Sequence, residues 1–281
     1  MTTVRGALYD LLVDGVATVK GEVWEPSAAG PKMEKPCLVL REGPQTETEK
    51  YADFSIDFEV WPYVKRTTFQ AVDNLAKEVN KVINKKRFEV DGKPFYIEFV
   101  GSTEDIVDEE WDALTRGLSF RVHSLSWLVH APIEPDPVTT MTAYSSMKFV
   151  DLQTNPATWK PSDDRPALYW RQEVITATEP AVWGAWITAT LRGHVINPDV
   201  AKRKRVTEKV SRQLLLDNRA YMSDKSPMNF ESVSINDGYD PFKQGQIQLS
   251  VRYGILKDRP RNPLRHVYTN DSDKAKGAVH K

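Results

Sequence analysis

The amino-acid sequence predicts an α+β fold with two tandem copies of a small domain, each a mostly antiparallel sheet packed by one or two helices. Three observations support this prediction. Segments in which apolar and polar residues alternate indicate half-buried strands, segments with apolar residues three and four apart indicate helices, and the second half of the chain repeats the elements of the first in the same order. A length of 281 residues accommodates two domains of ordinary size.

The first half of the chain begins with an amphipathic helix that ends at Asp14-Gly15, and a polar segment with several Pro and Gly residues follows it. The most regular strand lies at 54–60, where Phe58 falls on the face predicted to be buried. The long helix at 68–85 carries an apolar stripe at helical spacing. In order, the predicted elements are a helix at 4–13, a strand at 36–40, an acidic loop at 42–50, a strand at 54–60, a helix at 68–85, and strands at 95–100 and 118–122.

The second half repeats this series. The segment Lys35–Arg41, with the sequence KPCLVLR, is matched by Arg165–Arg171, with the sequence RPALYWR. The other matching elements are an alternating strand at 186–191, a helix that opens at Asn197-Pro198-Asp199 with Asn197 as its capping residue, and a closing strand at 247–253. The offset between paired elements stays at about 130 to 135 residues, which indicates a duplicated domain. The second copy departs from the first at 141–161, which shows no counterpart of the first helix, and at 223–239, where its loop is longer.

Proline residues mark the boundary between the two copies. Pro132, Pro135 and Pro137 lie among small and acidic residues without periodicity, which is typical of a linker. The C-terminal segment is polar and also lacks periodicity, so we expect a flexible arm there. The predicted organisation is a first copy at 1–128, a linker at 129–142, a second copy at 143–257 and a C-terminal arm at 258–281.

The composition argues against several classes of protein. Hydrophobic residues make up 40% of the chain and aromatic residues 10%, which disfavours a disordered chain. The 38 basic residues nearly balance the 39 acidic ones, whereas a protein that grips duplex DNA usually has an excess of basic charge. No apolar run is long enough for a membrane-spanning helix or a signal peptide, so we expect neither. The single cysteine, Cys37, cannot form an internal disulfide, and its apolar neighbours predict a buried thiol in preference to a reactive one.

No motif in the sequence carries a recognisable chemistry. A Gly-rich phosphate loop, a G-x-S-x-G nucleophile motif and an H-E-x-x-H metal motif are absent from it. The five histidines, none of which has another His or Cys at the spacing of a metal site, are His123, His130, His194, His266 and His280. His123 follows a strand and is predicted to be a satisfied or an exposed histidine, not a catalytic one. We therefore expect no catalytic residue, no metal site and no cofactor, and a protein that is not an enzyme.

Two charged clusters and three tryptophans are open to more than one interpretation. The acidic cluster at 104–112 does not match a calcium loop and is predicted to be a solvated loop or a protein-contact surface. The basic run Lys202–Arg205 points around most of the helix axis, so it is a solvated face or a contact for an acidic partner, with the acidic cluster of a neighbouring subunit as one candidate. Trp111, Trp159 and Trp183 lie in polar context and are either core residues or interface anchors.

The order of these elements resembles that of the bacteriophage tail terminator, or tail-to-head joining, proteins. Each copy resembles one member of that family, which begins with a short N-terminal helix and a Pro-led apolar strand like the one at 36–41. An alternating strand like 54–60, a helix like 68–85 and further strands follow. The resemblance covers residues 1–128 well and 160–257 more loosely, and it rests on architecture and element order.

The resemblance implies a structural virion protein, assembled in the host cytoplasm, that forms a ring at the head-proximal end of a tail. Such a ring ends polymerisation of the tail tube and presents a joining surface to the head. The implied partners are further copies of the chain, the tail tube protein, the head–tail connector or neck proteins and, in a contractile tail, the sheath. Three duplicated chains can form a pseudo-hexamer and six a double or widened ring. DNA passes through the lumen without specific binding, which fits the balanced charge.

Three alternatives remain at this point. A head–tail adaptor or stopper would assemble on the portal side instead of on the tube. A nucleic-acid-binding module would retain duplex DNA in a salt-dependent way. An enzyme would lose a measurable activity on substitution of Glu109, Glu110 or His123.

Overall fold

The structure, a computed structural model, describes residues 3–47, 54–156, 162 and 164–257. Four α-helices and thirteen β-strands lie within these residues, and the strands form two sheets. One sheet is built from the first half of the chain and the other from the second half, and each has its own helices, which confirms the predicted α+β class with two units. Unit 1 holds the elements up to Ser124, and unit 2 holds those from Pro137 onwards.

Unit 1 is a sheet that carries two helices on one face. Its elements are α1 (Val4–Gly15), β1 (Val23–Trp24), β2 (Cys37–Glu47), β3 (Phe54–Lys65), α2 (Phe69–Ile83), β4 (Lys86–Val90), β5 (Lys93–Ser102), β6 (Ile106–Asp108), β7 (Ala113–Thr115) and β8 (Leu118–Ser124). The strands are ordered β1-β2-β3-β8-β5-β4, and the β6–β7 hairpin pairs with β3 beside this path. β1 runs parallel to β2, and the other pairs of described strands are antiparallel.

Unit 2 is a second sheet with two helices of its own. Its elements are α3 (Pro137–Lys148), β9 (Ala167–Ala181), β10 (Gly184–Ile196), α4 (Val200–Asp217), β11 (Arg219–Tyr221), β12 (Pro227–Ile235) and β13 (Ile247–Leu256). The strands are ordered β11-β12-β13-β10-β9, and all these pairs are antiparallel. At the start of β9, Gln153 forms a parallel bridge with Ala167.

The two sheets have the same topology. When β1 and the β6–β7 hairpin are set aside, the order β2-β3-β8-β5-β4 of unit 1 corresponds strand by strand to β9-β10-β13-β12-β11 of unit 2. The helices correspond as well, since α1 and α3 precede the first hairpin and α2 and α4 follow it. Both first strands also meet a short parallel partner at their start, which is β1 in unit 1 and Gln153 in unit 2.

The strand registers extend this correspondence to single residues. The sequence match of Lys35–Arg41 with Arg165–Arg171 fixes the first strands of the two sheets. Pairing across each sheet then carries the correspondence from strand to strand. Phe58 of unit 1 thereby corresponds to Leu191 of unit 2, and both are fully buried. We call such pairs equivalent positions.

The core of unit 1 lies between its sheet and its two helices. Thr3 caps α1 by accepting a hydrogen bond from the backbone N–H of Gly6 at 3.0 Å, and Leu8 and Leu12 of this helix are buried. The apolar stripe of α2 that is buried consists of Val72, Leu75, Ala76, Val79 and Ile83. Both predicted helices of the first half are therefore confirmed, with ends that shift by one or two residues, which is the usual uncertainty at frayed helix termini.

In unit 2 the residue that caps α4 differs from the prediction. The carboxylate of Asp199 accepts hydrogen bonds from the backbone N–H groups of Ala201 and Lys202, at 2.8 and 3.1 Å. Asn197, the predicted cap, accepts instead from the N–H of Asp199 at 2.9 Å. The prediction was wrong because two capping residue types flank Pro198, and the sequence does not show which of them reaches the helix.

The predicted linker at 129–142 is wrong in its second part, because α3 begins at Pro137. Asp136 caps this helix by accepting from the N–H of Thr139 at 2.6 Å, and proline fits the first turn, where its N–H is not needed. Met141 is fully buried against the sheet of unit 2. α3 is thus the equivalent of α1, and its Thr and Ser residues, which favour caps and turns, hid the helical pattern.

Two predicted loops are largely strands. The acidic loop predicted at 42–50 is wrong as far as Glu47, since β2 continues to that residue and pairs there with Phe54. Most of the long loop predicted at 223–239 is β12. In both places the backbone hydrogen bonds of an antiparallel pair hold a polar segment in a strand.

Further predictions concern single residues or segments. Cys37 is buried as predicted, and its burial raises the pKa of the thiol to about 11. The predicted arm at 258–281 and Trp159 lie outside the described residues. No helix in the described part of the chain combines the length and the apolar character needed to cross a membrane.

Candidate functional site

A third apolar cluster joins the two units, and we call it the seam. It forms on the sheet faces that point away from the helices, because Tyr96 alternates along β5 with Phe95 and Ile97, which face the core of unit 1. Tyr96 is 5% exposed and Tyr169 of β9 is 1% exposed. The buried members of the seam are Tyr96, Leu125, Ala167, Tyr169, Ile196 and Phe242, with Trp127 and Leu128 packed against them.

Phe242 of unit 2 stacks on two rings of unit 1. It lies in the loop between β12 and β13, and its ring centroid is 4.8 Å from that of Tyr96 and 4.7 Å from that of His123. Asp240 shapes this loop by accepting a hydrogen bond from the backbone N–H of Phe242 at 2.7 Å. A loop side chain that is 7% exposed therefore anchors unit 2 on the outer face of unit 1.

His194 is the most deeply buried titratable group of the seam. Its Nδ1 donates to the carbonyl of Pro241 at 2.8 Å, and its Nε2 accepts from Nε of Arg171 at 2.9 Å, since a guanidinium N–H can only donate. Its ring stacks on Trp127 with 4.0 Å between centroids. Burial, followed by the charges of Arg171 and Arg192, lowers the pKa of His194 to about 3. The imidazole is therefore neutral at neutral pH and serves as a structural acceptor.

His123 occupies the unit 1 side of the same seam. Its Nε2 lies 3.0 Å from a carboxylate oxygen of Glu98 on the neighbouring strand, and Phe242 covers its ring. The side chain is 3% exposed. Of the two possibilities that the sequence left open, satisfied or exposed, the structure excludes the exposed one, and it satisfies Nε2 but leaves the buried Nδ1 without a hydrogen-bond partner among the described residues.

One row of four residues crosses the outer face of each sheet. Residues that pair directly across strands point to the same face. In unit 1 this row, the covered row, consists of Arg87, Tyr96, His123 and Ser55. In unit 2 the equivalent row, the open row, consists of Arg219, Asn229, Arg252 and Thr188. Phe242 covers Tyr96 and His123 of the covered row, whereas Arg219 and Asn229 of the open row are exposed.

The acidic cluster at 104–112 forms most of the β6–β7 hairpin, so the predicted loop is in fact a short pair of strands. Arg66 holds the hairpin by donating to both carboxylate oxygens of Glu109, at 2.8 and 2.9 Å. At the base of the hairpin Arg116 donates to Asp105 at 2.7 Å. These partners are largely exposed, so the hairpin presents an acidic, structured surface.

Trp111 and Trp183 belong to surface clusters of aromatic rings. Trp111, at the tip of the β6–β7 hairpin, lies 4.5 Å from Tyr63 of β3 between ring centroids, and both residues are partly exposed. Burial of its hydroxyl raises the pKa of Tyr63 to about 12, with a smaller contribution from Asp108. Trp183 meets Trp186 edge to face at 5.2 Å. Both tryptophans therefore lie outside the two main cores, and the structure leaves them as candidate interface anchors.

The basic run Lys202–Arg205 does not form one patch, in agreement with its spacing. Arg203 turns back over the start of α4 and donates to the carbonyl of Asn197 at 2.6 Å. Lys204 points elsewhere and lies 3.6 Å from a carboxylate oxygen of Asp237. Lys202, Lys204 and Arg205 are exposed.

A cleft of about 360 Å³ borders the seam. Its charged lining is mixed, with Lys85 and Arg203 facing Glu98 and Asp240. Within the part of the chain that the structure describes, no group of three or more His, Cys, Asp or Glu side chains is placed to hold a metal ion. The arrangement of stacked rings and buried hydrogen bonds is suited to holding two folded units together.

The seam was not predicted from the sequence, although a signal for it exists. The apolar runs 95–97 and 167–170 interrupt the alternation of their strands, and a continuous apolar run in a strand indicates that both faces are covered. No comparable signal marks Phe242, which lies in a polar loop.

Comparisons with known proteins were made for the whole chain. No protein-family model matches it, and no curated protein matches it. Among solved structures, a chain from "Virion of native gene transfer agent (GTA) particle" is similar with a TM-score of 0.35 and 17% sequence identity. The similarity covers 43% of this chain and 93% of that chain. A similarity of this size establishes neither the family nor the function of the chain.

Proposed function

We propose that this chain is a structural protein of a phage-like tail, which forms a ring at the head-proximal end, ends polymerisation of the tail tube and joins the tube to the head connector. The repeated unit is the observation that carries this proposal. Each unit has the element order on which the resemblance to tail terminator proteins rests, with a helix, a hairpin, a second helix and further strands. α3 supplies the first helix of unit 2, which the sequence did not reveal.

The seam gives a physical reason to expect a ring. Unit 1 contributes the outer face of β5 and β8, whereas unit 2 contributes the outer face of β9 and β10 and the loop that follows β12. Two equivalent units thus meet through different surfaces, which makes the contact heterologous. Heterologous contacts that repeat produce a closed ring or an open filament. Each chain therefore contains one contact of the kind that a ring repeats.

The charge balance supports a structure through which DNA slides. A strongly basic lumen would hold DNA through its phosphates, and the chain has 38 basic against 39 acidic residues. The buried histidines of the seam are engaged in packing, since His123 is bonded to Glu98 and His194 to Arg171. Their hydrogen bonds and stacking contacts indicate that these two buried histidines have a structural role.

The test is the native mass of the purified full-length chain, measured by light scattering, with negative-stain images of the same sample. We expect rings with an open centre that hold three or six chains. If the chain is monomeric, tail tubes are added, and we expect it to bind one end of each tube and stop further growth. A monomer that tubes do not recruit would contradict the proposal. Recruitment by the connector and not by the tube would favour an adaptor or stopper.

A further inference from the structure

The seam uses one surface from each unit, and each unit has both surfaces in equivalent positions. Unit 1 supplies the covered row, and unit 2 supplies the surface that lies on it. Two surfaces of the chain, which are equivalent to the two sides of the seam, do not take part in a seam contact within the described residues. One is the open row of unit 2, and the other is the region of unit 1 equivalent to the unit 2 side of the seam.

The strand registers identify this second region. The unit 2 side of the seam carries Ala167, Tyr169, His194 and Ile196 on β9 and β10. The equivalent residues on β2 and β3 of unit 1 are Cys37, Val39, Trp61 and Tyr63. Two of these four are aromatic residues that remain partly exposed, namely Trp61 and Tyr63.

Trp111 takes the place in unit 1 that Phe242 has in unit 2. Phe242 lies in the connection between β12 and β13, and the equivalent connection, between β5 and β8, contains the β6–β7 hairpin with Trp111 at its tip. Phe242 shares the seam cluster with Ile196, and Trp111 packs at 4.5 Å on Tyr63, which is the equivalent of Ile196. We call Trp61, Tyr63 and Trp111 the aromatic surface. Partly exposed aromatic residues next to one another are typical of interface anchors.

The charges around the two surfaces are complementary. The open row contains two guanidinium groups, that of Arg219, which is exposed, and that of Arg252, which is partly buried and donates to Glu179 at 2.7 Å. The tip of the β6–β7 hairpin carries the exposed carboxylates of Glu110 and Asp112 on either side of Trp111.

The open row also has the chemistry to receive an aromatic ring. The guanidinium of Arg252 already lies over the ring of Trp186, 5.1 Å from its centroid. Arginine binds aromatic faces through its planar, weakly hydrated cation. The planar guanidinium of Arg252 can stack on an aromatic ring, and the exposed amide of Asn229 can form hydrogen bonds. The open row can therefore bind a partner surface that contains aromatic residues.

We propose that the aromatic surface and the acidic hairpin tip of one copy dock on the open row of a second copy, and that this contact repeats the seam between chains. This inference rests on the proposed ring and names the surfaces through which its chains meet. The contact is heterologous, so each chain uses its aromatic surface towards one neighbour and its open row towards the other. A series of such chains closes into a ring when the rotation between neighbouring chains is a whole fraction of a turn.

The test is chemical cross-linking of the full-length chain with a short bismaleimide. Variant E110C/R219C places one cysteine at the hairpin tip and one on the open row, both at exposed positions that the fold tolerates. Variant E110C/N229C probes the same contact at the neighbouring position of the open row and keeps Trp111 in place. Variant E110C/L216C is the matched control, because Leu216 lies on the helix side of unit 2 and is 77% exposed. The native Cys37 is buried in all three.

We expect E110C/R219C to form covalent multimers on a denaturing gel, with a yield at least about tenfold above that of the control, since a specific contact raises the local concentration of the two thiols. E110C/N229C should behave in the same way. The native mass could show rings while neither variant cross-links more than the control. That outcome would overturn this inference, because the chains of the ring would then meet through other surfaces, and it would leave the proposed ring intact. A chain that stays monomeric at every concentration and on tail tubes, without cross-links, would overturn both proposals.

Discussion

The covered row of unit 1 and the open row of unit 2 occupy the same four positions of the same sheet, yet their chemistry differs. At the two central positions unit 1 has Tyr96 and His123, whose rings stack with Phe242, and unit 2 has Asn229 and Arg252. The covered row has its partner within the chain, and its Tyr96, His123 and Ser55 are buried in the folded chain. The open row is in water until a partner binds, so polar and charged residues are tolerated there, as they are at interfaces that form after folding.

The same contrast holds for the two connections that bring an aromatic residue to a neighbour. The loop after β12, residues 236–246, places Phe242 in the seam, where it is 7% exposed. The corresponding connection of unit 1 is a hairpin with an acidic tip, and Trp111 on it remains partly exposed. Phe242 has its partner inside the chain and is buried. Trp111, the proposed anchor between copies, has the exposed carboxylates of Glu110 and Asp112 on either side.

The largest effect on stability is expected for a substitution on the buried face of a sheet, which is apolar in both units. Phe58→Asp places a carboxylate in the core of unit 1, which should cost roughly 5 kcal/mol or more and remove the cooperative unfolding of that unit. Ser119→Lys, which places a charge on the outer face of β8 opposite Glu59, is the control and should change the free energy of unfolding by less than about 0.5 kcal/mol. Urea unfolding followed by circular dichroism measures both. A folded Phe58→Asp protein with the parent midpoint would show that the two faces of the sheet have been assigned wrongly.

The second effect separates the two aromatic anchors. Phe242→Ala should lower the free energy of unfolding by about 3 kcal/mol, because it removes a buried ring that stacks on two others. Trp111→Ala should cost about 1 kcal/mol in the isolated chain, since its ring is partly exposed, and should abolish ring formation. Urea unfolding of the monomeric chain and native mass at high concentration give the two readouts. Equal losses of stability in the two variants would contradict the different roles given to Phe242, inside the chain, and Trp111, between copies.

A third effect is the acid sensitivity of the seam. The pKa of His194 is about 3 in the folded chain and 6.5 as its ordinary value, so the unfolded chain binds a proton first as the pH falls. The stability that neutral His194 provides is complete above about pH 6.5 and is lost as the pH falls towards 3, with about 2 kcal/mol lost at pH 5. His194→Gln should show a smaller loss than the parent between pH 7 and pH 5, measured by urea unfolding at both values. Carboxylate titration is common to both proteins, so an identical pH dependence would contradict the role assigned to His194.

The smallest effect concerns charge at the proposed contact between copies. Arg219→Glu and Glu110→Arg should each weaken association by about tenfold, and the double variant should recover most of that loss, because the two reversals restore opposite charges. Each should change the free energy of unfolding by less than about 0.5 kcal/mol. Lys202→Glu, an exposed charge reversal on α4, is the control and should leave association unchanged. Sedimentation velocity over a concentration series measures association. Single variants that assemble like the parent would show that Arg219 and Glu110 are not part of the contact.

Much of the fold could be predicted because its elements show local periodicity. The alternation at 54–60 and the stripe in 68–85 each place their apolar residues on one face, so β3 and α2 are where the sequence predicts them. The helix α3 was missed because its Thr and Ser residues are not helix formers, and its stability comes from Met141 and other side chains buried against the sheet of unit 2. The hairpin β6–β7 was missed because its strands are short and acidic, and pairing with β3 holds them.

The amino-acid sequence determined the duplication, the strand order that each copy can form and the face of each sheet that is buried. The physical reason is that spacing along the chain decides which side chains point the same way, and burial of apolar residues then selects one face. Which outer surface finds a partner was decided by tertiary structure. Tyr96, His123 and Phe242 meet across two units that are distant in the sequence, and no spacing records their contact. Equivalent positions therefore came to differ, with Tyr96 and His123 covered inside the chain and Asn229 and Arg219 exposed.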